Sequence, residues 1–251
     1  MGKKALGIDI GGTGIKAAIA DIKTGELASE RIRVETPAGG RPDDVANSVA
    51  DVLSRLKVTP EMAIGICFPA VVQHGITKSA ANISDEWIGL DAHALFTNRL
   101  QRQIHILNDA DAAGVAEARY GAAKGVDGLT ILTTLGTGIG SALLYDGELI
   151  PNSELGHIQI EGKDWETQAA FSAKERENLD WKQWAERLQK YYSTLEALLV
   201  PDLFVVGGGV SKMHAEFLPL LTLNTKIVPA KTRNTAGILG AAALAHKHRA
   251  K

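Results

Sequence analysis

The tetrapeptide Gly-Thr-Gly-Ile occurs twice, at residues 12–15 and again at residues 136–139, in a chain of 251 residues. Each copy follows one apolar run and precedes another, a pattern that predicts a strand, a glycine turn and a second strand. Glycines let backbone N–H groups approach an anion, and a threonine hydroxyl adds a donor. Either turn alone fits an ordinary hairpin, but two copies half a chain apart predict related half-domains that hold a phosphate chain between them.

Other phosphate-binding motifs fit these turns less well. A P-loop places Gly-Lys and then Ser or Thr before a helix, whereas Lys16 follows Ile15 and precedes Ala17. A dinucleotide fingerprint opens a helix, whereas residues 15–21 alternate in polarity and contain β-branched isoleucines. The segment after the first turn is therefore predicted to be the second arm of a hairpin.

Composition and charge exclude several function classes. The formal net charge of −2 gives no general nucleic-acid footprint. No apolar run approaches the roughly 20 residues of a membrane span, so no membrane partner is expected. Cys67 is the only cysteine, and it lies in an apolar run that predicts a buried strand. An intrachain disulfide is impossible, and a reducing, cytoplasmic location is expected.

The order of predicted elements indicates an α/β protein with a sheet in each of two lobes, because the strand-rich opening begins again after residue 128. Strands are predicted near residues 5–10, 15–21, 26–34, 62–68, 104–107, 203–206 and 226–228. Helices are predicted near residues 42–56, 91–101, 109–120 and 181–199, and from about 236 onward. We expect an N-terminal lobe of residues 1–108 plus about 236–251, and a C-terminal lobe of residues 109–235.

Two helix starts carry clear local signals. Asn108 is a predicted N-cap, which places Asp109 in the first turn of the following helix. Asp180 and Gln183 resemble a capping box before the helix at residues 181–199. The apolar face of that helix is predicted to consist of Trp181, Trp184, Leu188, Tyr191, Leu195 and Leu198.

Four motifs, in order along nearly the whole chain, resemble the signatures of the ROK family of sugar kinases and repressors. They are Gly-Ile-Asp-Ile-Gly-Gly-Thr-Gly-Ile-Lys at 7–16, Asn-Asp-Ala-Asp-Ala-Ala at 108–113, Leu-Gly-Thr-Gly-Ile-Gly at 135–140 and Glu-Leu-Gly-His at 154–157. This resemblance implies the actin-like ATPase fold, a duplicated ribonuclease H-like fold with a cleft between two lobes.

One departure from the family pattern is informative. Many ROK kinases carry a cysteine-rich zinc segment after the Gly-His element, but residues 158–164 contain no cysteine, so no structural zinc is expected. The shortened segment is similar to that of the polyphosphate glucokinases and the polyphosphate/ATP glucomannokinases. The resemblance therefore implies phosphoryl transfer from inorganic polyphosphate or ATP, with Mg²⁺, to the 6-hydroxyl of glucose and also of mannose.

Two alternatives belong to other function classes. A sugar-responsive ROK regulator needs a DNA-binding helix pair before the first glycine turn, and only about five residues precede the first strand. An actin-like ATPase without sugar kinase activity would hydrolyse ATP in the absence of sugar. We expect a monomer or homodimer that binds small molecules and no nucleic acid.

Asp109 is the predicted catalytic residue. Phosphoryl transfer needs the attacking hydroxyl to be held in line and its proton to be accepted as charge shifts. A helix N-terminus keeps a carboxylate ionised and makes it a poor base, so its contribution is mostly orientation. Residue type alone also fits a simple helix-start aspartate, and the family match implies the catalytic role. Asp111 points elsewhere on the helix and receives no role.

The remaining predicted site residues divide into a donor set and a sugar set. Asp9 could hold Mg²⁺ or hydrogen-bond to the adjacent turn, and Lys16 could neutralise phosphate or lie on a solvated strand face. The donor set is Asp9, Gly11, Gly12, Thr13, Gly14, Lys16, Thr134, Gly136, Thr137, Gly138, Gly208 and Gly209. The sugar set implied by the resemblance is Asn82, Asn108, Asp109, Glu154, His157 and Glu166. Trp87 could line the pocket or close the core, and packing is the favoured interpretation.

Overall fold

The computed structural model describes residues 4–249, so the first three and last two residues of the predicted N-terminal lobe lie outside it. The strands are β1 (Lys4–Gly11), β2 (Gly14–Asp21), β3 (Glu26–Leu27), β4 (Ile32–Val34), β5 (Ala63–Phe68), β6 (Val72–Gln73), β7 (Ile76–Thr77), β8 (Ile104–Asn108), β9 (Leu129–Leu135), β10 (Ile139–Tyr145), β11 (Glu148–Ile150), β12 (Gln159–Ile160), β13 (Lys163–Asp164), β14 (Leu203–Gly207) and β15 (Lys226–Pro229). The α-helices are α1 (Pro42–Arg55), α2 (Ala92–Leu100), α3 (Asp109–Tyr120), α4 (Glu166–Ala169), α5 (Phe171–Arg176), α6 (Trp181–Leu199), α7 (His214–Phe217) and α8 (Ala236–Arg249).

The chain divides into two compact units. The first runs to Ala116 and resumes at Asn234, and the second comprises Glu117–Arg233. The predicted lobe boundary precedes α3, whereas this division lies within the helix. The reason is packing, because Ala112 of α3 belongs to an apolar cluster of the first unit that also contains Cys67 and Ala241.

The first unit is built on a mixed sheet with strand order β3-β2-β1-β5-β8, in which β4 also pairs with β2. Strands β1 and β2 form the antiparallel hairpin predicted around the first glycine turn, and β5 and β8 continue the sheet in parallel. The single strand predicted at residues 26–34 is wrong. It is interrupted because the Ser29 hydroxyl, at 2.9 Å, accepts the Ile19 N–H in place of a backbone carbonyl.

Helix α8 covers this sheet at very short range. A Cβ at Gly7 would lie 1.9 Å from the Ile238 carbonyl oxygen, and one at Gly65 would lie 2.0 Å from that of Ala241. Glycines in β1 and β5 therefore let the backbone of α8 approach the strands directly, as close element packing requires. This contact brings the beginning of α8 to the end of β1 that carries Asp9.

Trp87 belongs to the core of the first unit. Its side chain is fully buried, packs against Phe68 and Phe96, and donates its indole N–H to the Gly40 carbonyl at 2.8 Å. The interpretation of this residue as packing is confirmed, because a fully buried indole with a satisfied donor has no surface left for a ligand.

The second unit repeats the strand pattern of the first. Its sheet has the order β11-β10-β9-β14-β15, with β9 and β10 antiparallel around the second glycine turn and β14 and β15 parallel to β9. Helix α6 begins with the predicted capping box, in which the Asp180 carboxylate accepts the Gln183 N–H at 2.8 Å. Leu198 was assigned wrongly to the apolar face. It is 65% exposed because it projects away from the core side of α6, where Leu195 and Leu199 pack.

Val200, the C-cap residue that follows α6, occupies an unfavourable backbone conformation. Its φ of 47° is left-handed, and 76% of the residue is exposed. A β-branched residue there is strained and buries little in return. We expect Val200→Gly to raise the free energy of unfolding by about 1 kcal/mol, measured from urea unfolding midpoints. Val200→Ala, which keeps a Cβ, should gain less, and equal effects of the two changes would contradict the assignment of strain.

Candidate active site

The carboxyl ends of three neighbouring strands bring the predicted acidic residues of the first unit together. In the sheet register Asp9 of β1 lies beside Cys67 of β5, and Phe68 of β5 lies beside Asn108 of β8. Asp109 follows Asn108 directly. Ligand sites of α/β sheets form at this edge, beyond the carboxyl ends of parallel strands.

Asn108 caps helix α3 as the sequence predicts. Its side-chain oxygen accepts the N–H groups of Ala110 at 2.8 Å and Asp111 at 3.2 Å, and its amide donates to the Ala70 carbonyl at 3.1 Å. The Asn108 side chain is therefore committed to fixing the start of the helix. Asp109 is exposed in the first turn of the helix.

Asp9 and Lys16 face each other across the first hairpin. The Lys16 Nζ lies 3.0 Å from Asp9 Oδ2, and the side chains are 34% and 19% exposed. The other Asp9 oxygen lies 3.7 Å from the Cys67 Sγ. A Cβ on Gly237 would lie 3.0 Å from the Asp9 carboxyl carbon, so the first turn of α8 also borders this carboxylate.

Cys67 is fully buried within this group. Burial raises the pKa of its thiol well above the usual range, and the charges of Asp9 and Asp109 add to that rise. The thiol therefore stays protonated and can donate to Asp9.

The first glycine turn is held from outside by two side chains. Thr36 donates its hydroxyl to the Gly11 carbonyl at 2.5 Å, and the Arg33 guanidinium donates to the Thr13 carbonyl at 3.3 Å. Asn82 has a left-handed φ of 56°, and its carbonyl oxygen would lie 2.5 Å from a Cβ on Gly12. The first glycine turn therefore contacts the segment that contains Asn82. This contact is expected if the two belong to one site.

The second glycine turn closes through its own backbone, with the Gly136 N–H donating to the Gly138 carbonyl at 3.0 Å. Ser172 adds a side-chain hydrogen bond to the Thr137 carbonyl at 2.6 Å. Thr134 precedes this turn and pairs with Gly207 of β14. The Gly208 and Gly209 segment therefore begins beside the turn, and a Cβ on Gly208 would lie 2.2 Å from the Leu135 carbonyl oxygen.

Glu166 connects the second turn to the predicted sugar residues of the same unit. Its Oε2 accepts the Ile139 N–H at 2.7 Å and would lie 2.4 Å from a Cβ on Gly138. Glu154 precedes and His157 ends a short 3-10 helix, in which the His157 N–H donates to the Glu154 carbonyl at 3.1 Å. Gly156 allows this segment to lie against β10, because a Cβ there would lie 2.0 Å from the Ile139 carbonyl oxygen.

The charges around His157 favour its protonated form. A hydrogen bond of 2.9 Å from its Nδ1 to Asp164 raises the pKa of His157; the carboxylates of Glu166 and Glu154 add to the rise and desolvation opposes it. Loss of hydration raises the pKa of Glu154, an effect that His157 opposes and Glu166 reinforces. The unit thus holds a cationic donor beside carboxylate acceptors, the pairing that sugar hydroxyls require.

We expect Asp164→Asn to lower the pKa of His157 toward its ordinary value, because the charged hydrogen-bond partner is lost. Since folding raises this pKa, the interaction stabilises the protein fully below the ordinary histidine pKa and is lost as the pH rises through the raised value. NMR titration of the His157 ring protons measures the change. Glu161→Gln, in the same hairpin but paired with Lys190, is the matched control; a His157 pKa that moves equally in both variants would contradict the assignment.

Residues 4–249 contain neither a membrane-crossing helix nor a cluster of metal-binding side chains. No helix there combines the length and apolar character that crossing a membrane requires. No group of three or more His, Cys, Asp or Glu side chains in that range is placed to hold a metal ion.

The family model of the ROK family matches residues 5–177. The chain belongs to the ROK family.

Polyphosphate glucokinase of Mycobacterium tuberculosis is 44% identical over 241 residues, which cover 96% of this chain and 90% of that protein. The structure of an inorganic polyphosphate/ATP-glucomannokinase from an Arthrobacter strain superposes with a TM-score of 0.91 at 51% identity, covering 98% of this chain and 99% of the other. A ROK family glucokinase from Streptomyces griseus, with glucose and AMPPNP, shares the fold at TM-score 0.80 and 23% identity, covering 97% and 99%. The predicted actin-like α/β fold is confirmed.

Within this ROK chain each unit brings together its own share of the predicted residues. The first unit contains Asp9, Gly11, Gly12, Thr13, Gly14, Lys16, Asn82, Asn108 and Asp109. The second contains Thr134, Gly136, Thr137, Gly138, Glu154, His157, Glu166, Gly208 and Gly209. Sequence reasoning missed four neighbours of these residues: Arg33, Cys67, Asp164 and Gly237. Only Asp164 had a local signal, since it lies seven residues after His157 in a short polar hairpin.

Proposed function

We propose that this protein is a polyphosphate/ATP-dependent glucokinase that transfers a phosphoryl group to the 6-hydroxyl of glucose, and also of mannose. The near full-length identity of 51% to a polyphosphate/ATP-glucomannokinase carries the proposal. The positions of the predicted site residues within the two units support a role for each.

Asp109 orients the attacking sugar hydroxyl and accepts its proton as the new bond to phosphorus forms and the bond from that phosphorus to the donor breaks, releasing ADP or the shortened polyphosphate. It lies in the first turn of α3, and the Asn108 cap fixes the backbone that carries it. Positioning and charge stabilisation provide most of the catalysis in phosphoryl transfer, so a rigidly held carboxylate suits this task. Asn82, Glu154, His157 and Glu166 bind the remaining sugar hydroxyls.

The glycine turns bind donor phosphates through their backbone N–H groups. In the first turn Thr36 and Arg33 bind the carbonyls of Gly11 and Thr13 and so hold the backbone that would present its amides to an anion. Lys16 adds positive charge close to this turn. The segment at Gly208 and Gly209 contacts the nucleoside part of ATP.

Mg²⁺ is the proposed cofactor, and Asp9 is the residue that would hold it, directly or through water. The donor chemistry fits, because Mg²⁺ typically uses one or two carboxylates together with waters and substrate phosphates. Asp9 is 19% exposed at the edge of the sheet, beside the phosphate-binding turn. The ion would neutralise charge on the donor phosphates.

A coupled assay that crosses glucose and mannose with ATP and polyphosphate tests the function. We expect sugar 6-phosphate to form with either donor in the presence of Mg²⁺. ATP hydrolysis at the same rate with and without sugar would favour the actin-like ATPase, and sugar binding without turnover would favour the regulator.

A further inference from the structure

A row of charged side chains crosses the first sheet next to the first glycine turn. Asp9 of β1 is directly opposite Lys16 of β2, and Lys16 is directly opposite Arg33 of β4. Directly opposed residues of antiparallel strands project from the same face of a sheet. Arg31 immediately precedes β4, and its guanidinium reaches the Asn234 carbonyl, two residues before α8. The first turn of α8 borders Asp9 at Gly237, so Arg31 lies toward the same side of the sheet as this row.

The Arg33 guanidinium lies against the turn itself. A Cβ on Gly14 would lie 3.0 Å from both the Nε and one terminal nitrogen of Arg33. That terminal nitrogen donates to the Thr13 carbonyl at 3.3 Å. Arg33 is exposed, and among the described residues its other N–H groups have no hydrogen-bond acceptor. A planar guanidinium with unused donors is well suited to bidentate binding of phosphate.

The charges in this row do not balance. Asp9 is paired with Lys16, whereas no carboxylate in residues 4–249 forms an ion pair with Arg31 or Arg33. Arg31 donates only weakly to the Asn234 carbonyl, at 3.5 Å. Like charges placed directly opposite each other destabilise a sheet, and Lys16 and Arg33 form such a pair. An anion bound over the two side chains would offset their repulsion.

We propose that Lys16, Arg33 and Arg31 form a polyphosphate track that binds the phosphate groups beyond those held by the first glycine turn. The inference rests on the proposed function and deepens it by assigning the path of the longer donor. Lys16 and Arg33 lie next to the turn and serve both donors. Arg31 immediately precedes β4 and lies farther from the turn, so it would contact a long polyanion rather than the shorter triphosphate of ATP.

The test compares the double variant R31Q/R33Q with the wild type, using glucose as acceptor and long-chain polyphosphate, tripolyphosphate or ATP as donor. We expect kcat/KM for long-chain polyphosphate to fall by roughly 100-fold, because two charged hydrogen-bond donors are lost. The loss with ATP and tripolyphosphate should be at least tenfold smaller. Arg55 is an exposed arginine on α1 that is paired with Asp51. Arg55→Gln is therefore the matched control, and it should leave kcat/KM unchanged with every donor.

Direct binding of long-chain polyphosphate, measured by calorimetry without sugar at several salt concentrations, separates this inference from the proposed function. Wild-type affinity should fall as ionic strength rises, and more steeply than that of the double variant. Equal losses with ATP and polyphosphate, or unchanged polyphosphate binding in the double variant, would overturn the track. A wild type that binds polyphosphate but does not phosphorylate glucose with it would overturn the function and leave the track supported.

Discussion

Replacing Asp109 with asparagine is expected to lower kcat for glucose phosphorylation by about 10³-fold, within the range for removal of a general acid–base group. The amide occupies the same volume at the start of α3, so the site keeps its shape. It cannot accept the proton of the sugar hydroxyl, and it contributes no negative charge to orient that hydroxyl. Sugar affinity, measured by calorimetry, should stay within a few-fold of the wild type because the other sugar residues are untouched.

A second helix supplies the control for this experiment. Asp44 lies exposed in the first turn of α1, so Asp44→Asn makes the same chemical change at the same kind of helix position. Either variant should lose no more than about 1 kcal/mol of stability through the helix dipole. If Asp109→Asn turns over at close to the rate of Asp44→Asn, Asp109 is not the catalytic residue.

Features set by a few neighbouring residues were predictable from the sequence. The two hairpins, the Asn108 cap and the capping box at Asp180 all arise from residues at most a few positions apart. Their signals are local because a turn or a helix start satisfies its hydrogen bonds within one or two turns of chain. The bounds of α6 agree with the prediction for the same reason.

Features that depend on distant contacts were not predictable. Gly237 and Asp9 are far apart in sequence, and they meet only because Gly7 and Gly65 let α8 approach the sheet. Arg33 reaches the first turn through the register of β4 on β2, and that register follows from an interruption at Ser29 that no pattern in the sequence marks. Residue type suggested the chemistry of Asp9 and Lys16, whereas their 3.0 Å contact needed the fold.

The two glycine turns permit a matched comparison at Gly12 and Gly136, the first residues of the repeated tetrapeptide. An added Cβ at Gly12 would lie 2.5 Å from the Asn82 carbonyl oxygen, whereas one at Gly136 has no heavy atom within 4 Å. We expect Gly12→Ala to lower kcat/KM by about 100-fold, because a displacement of about 1 Å in a positioned group can cost that much. The coupled assay with each donor measures the effect.

Gly136→Ala introduces the same methyl group in open space, so its cost should be at least tenfold smaller. Thermal unfolding of both variants distinguishes a local displacement from a loss of folding, and the comparison is valid only where both stay folded at the assay temperature. If the two substitutions cost the same, the space behind each turn is irrelevant and glycine is needed only for the approach of the phosphate. If Gly12→Ala alone is impaired, the turn acts through its contact with the Asn82 segment, and donor binding and sugar binding are coupled through that contact.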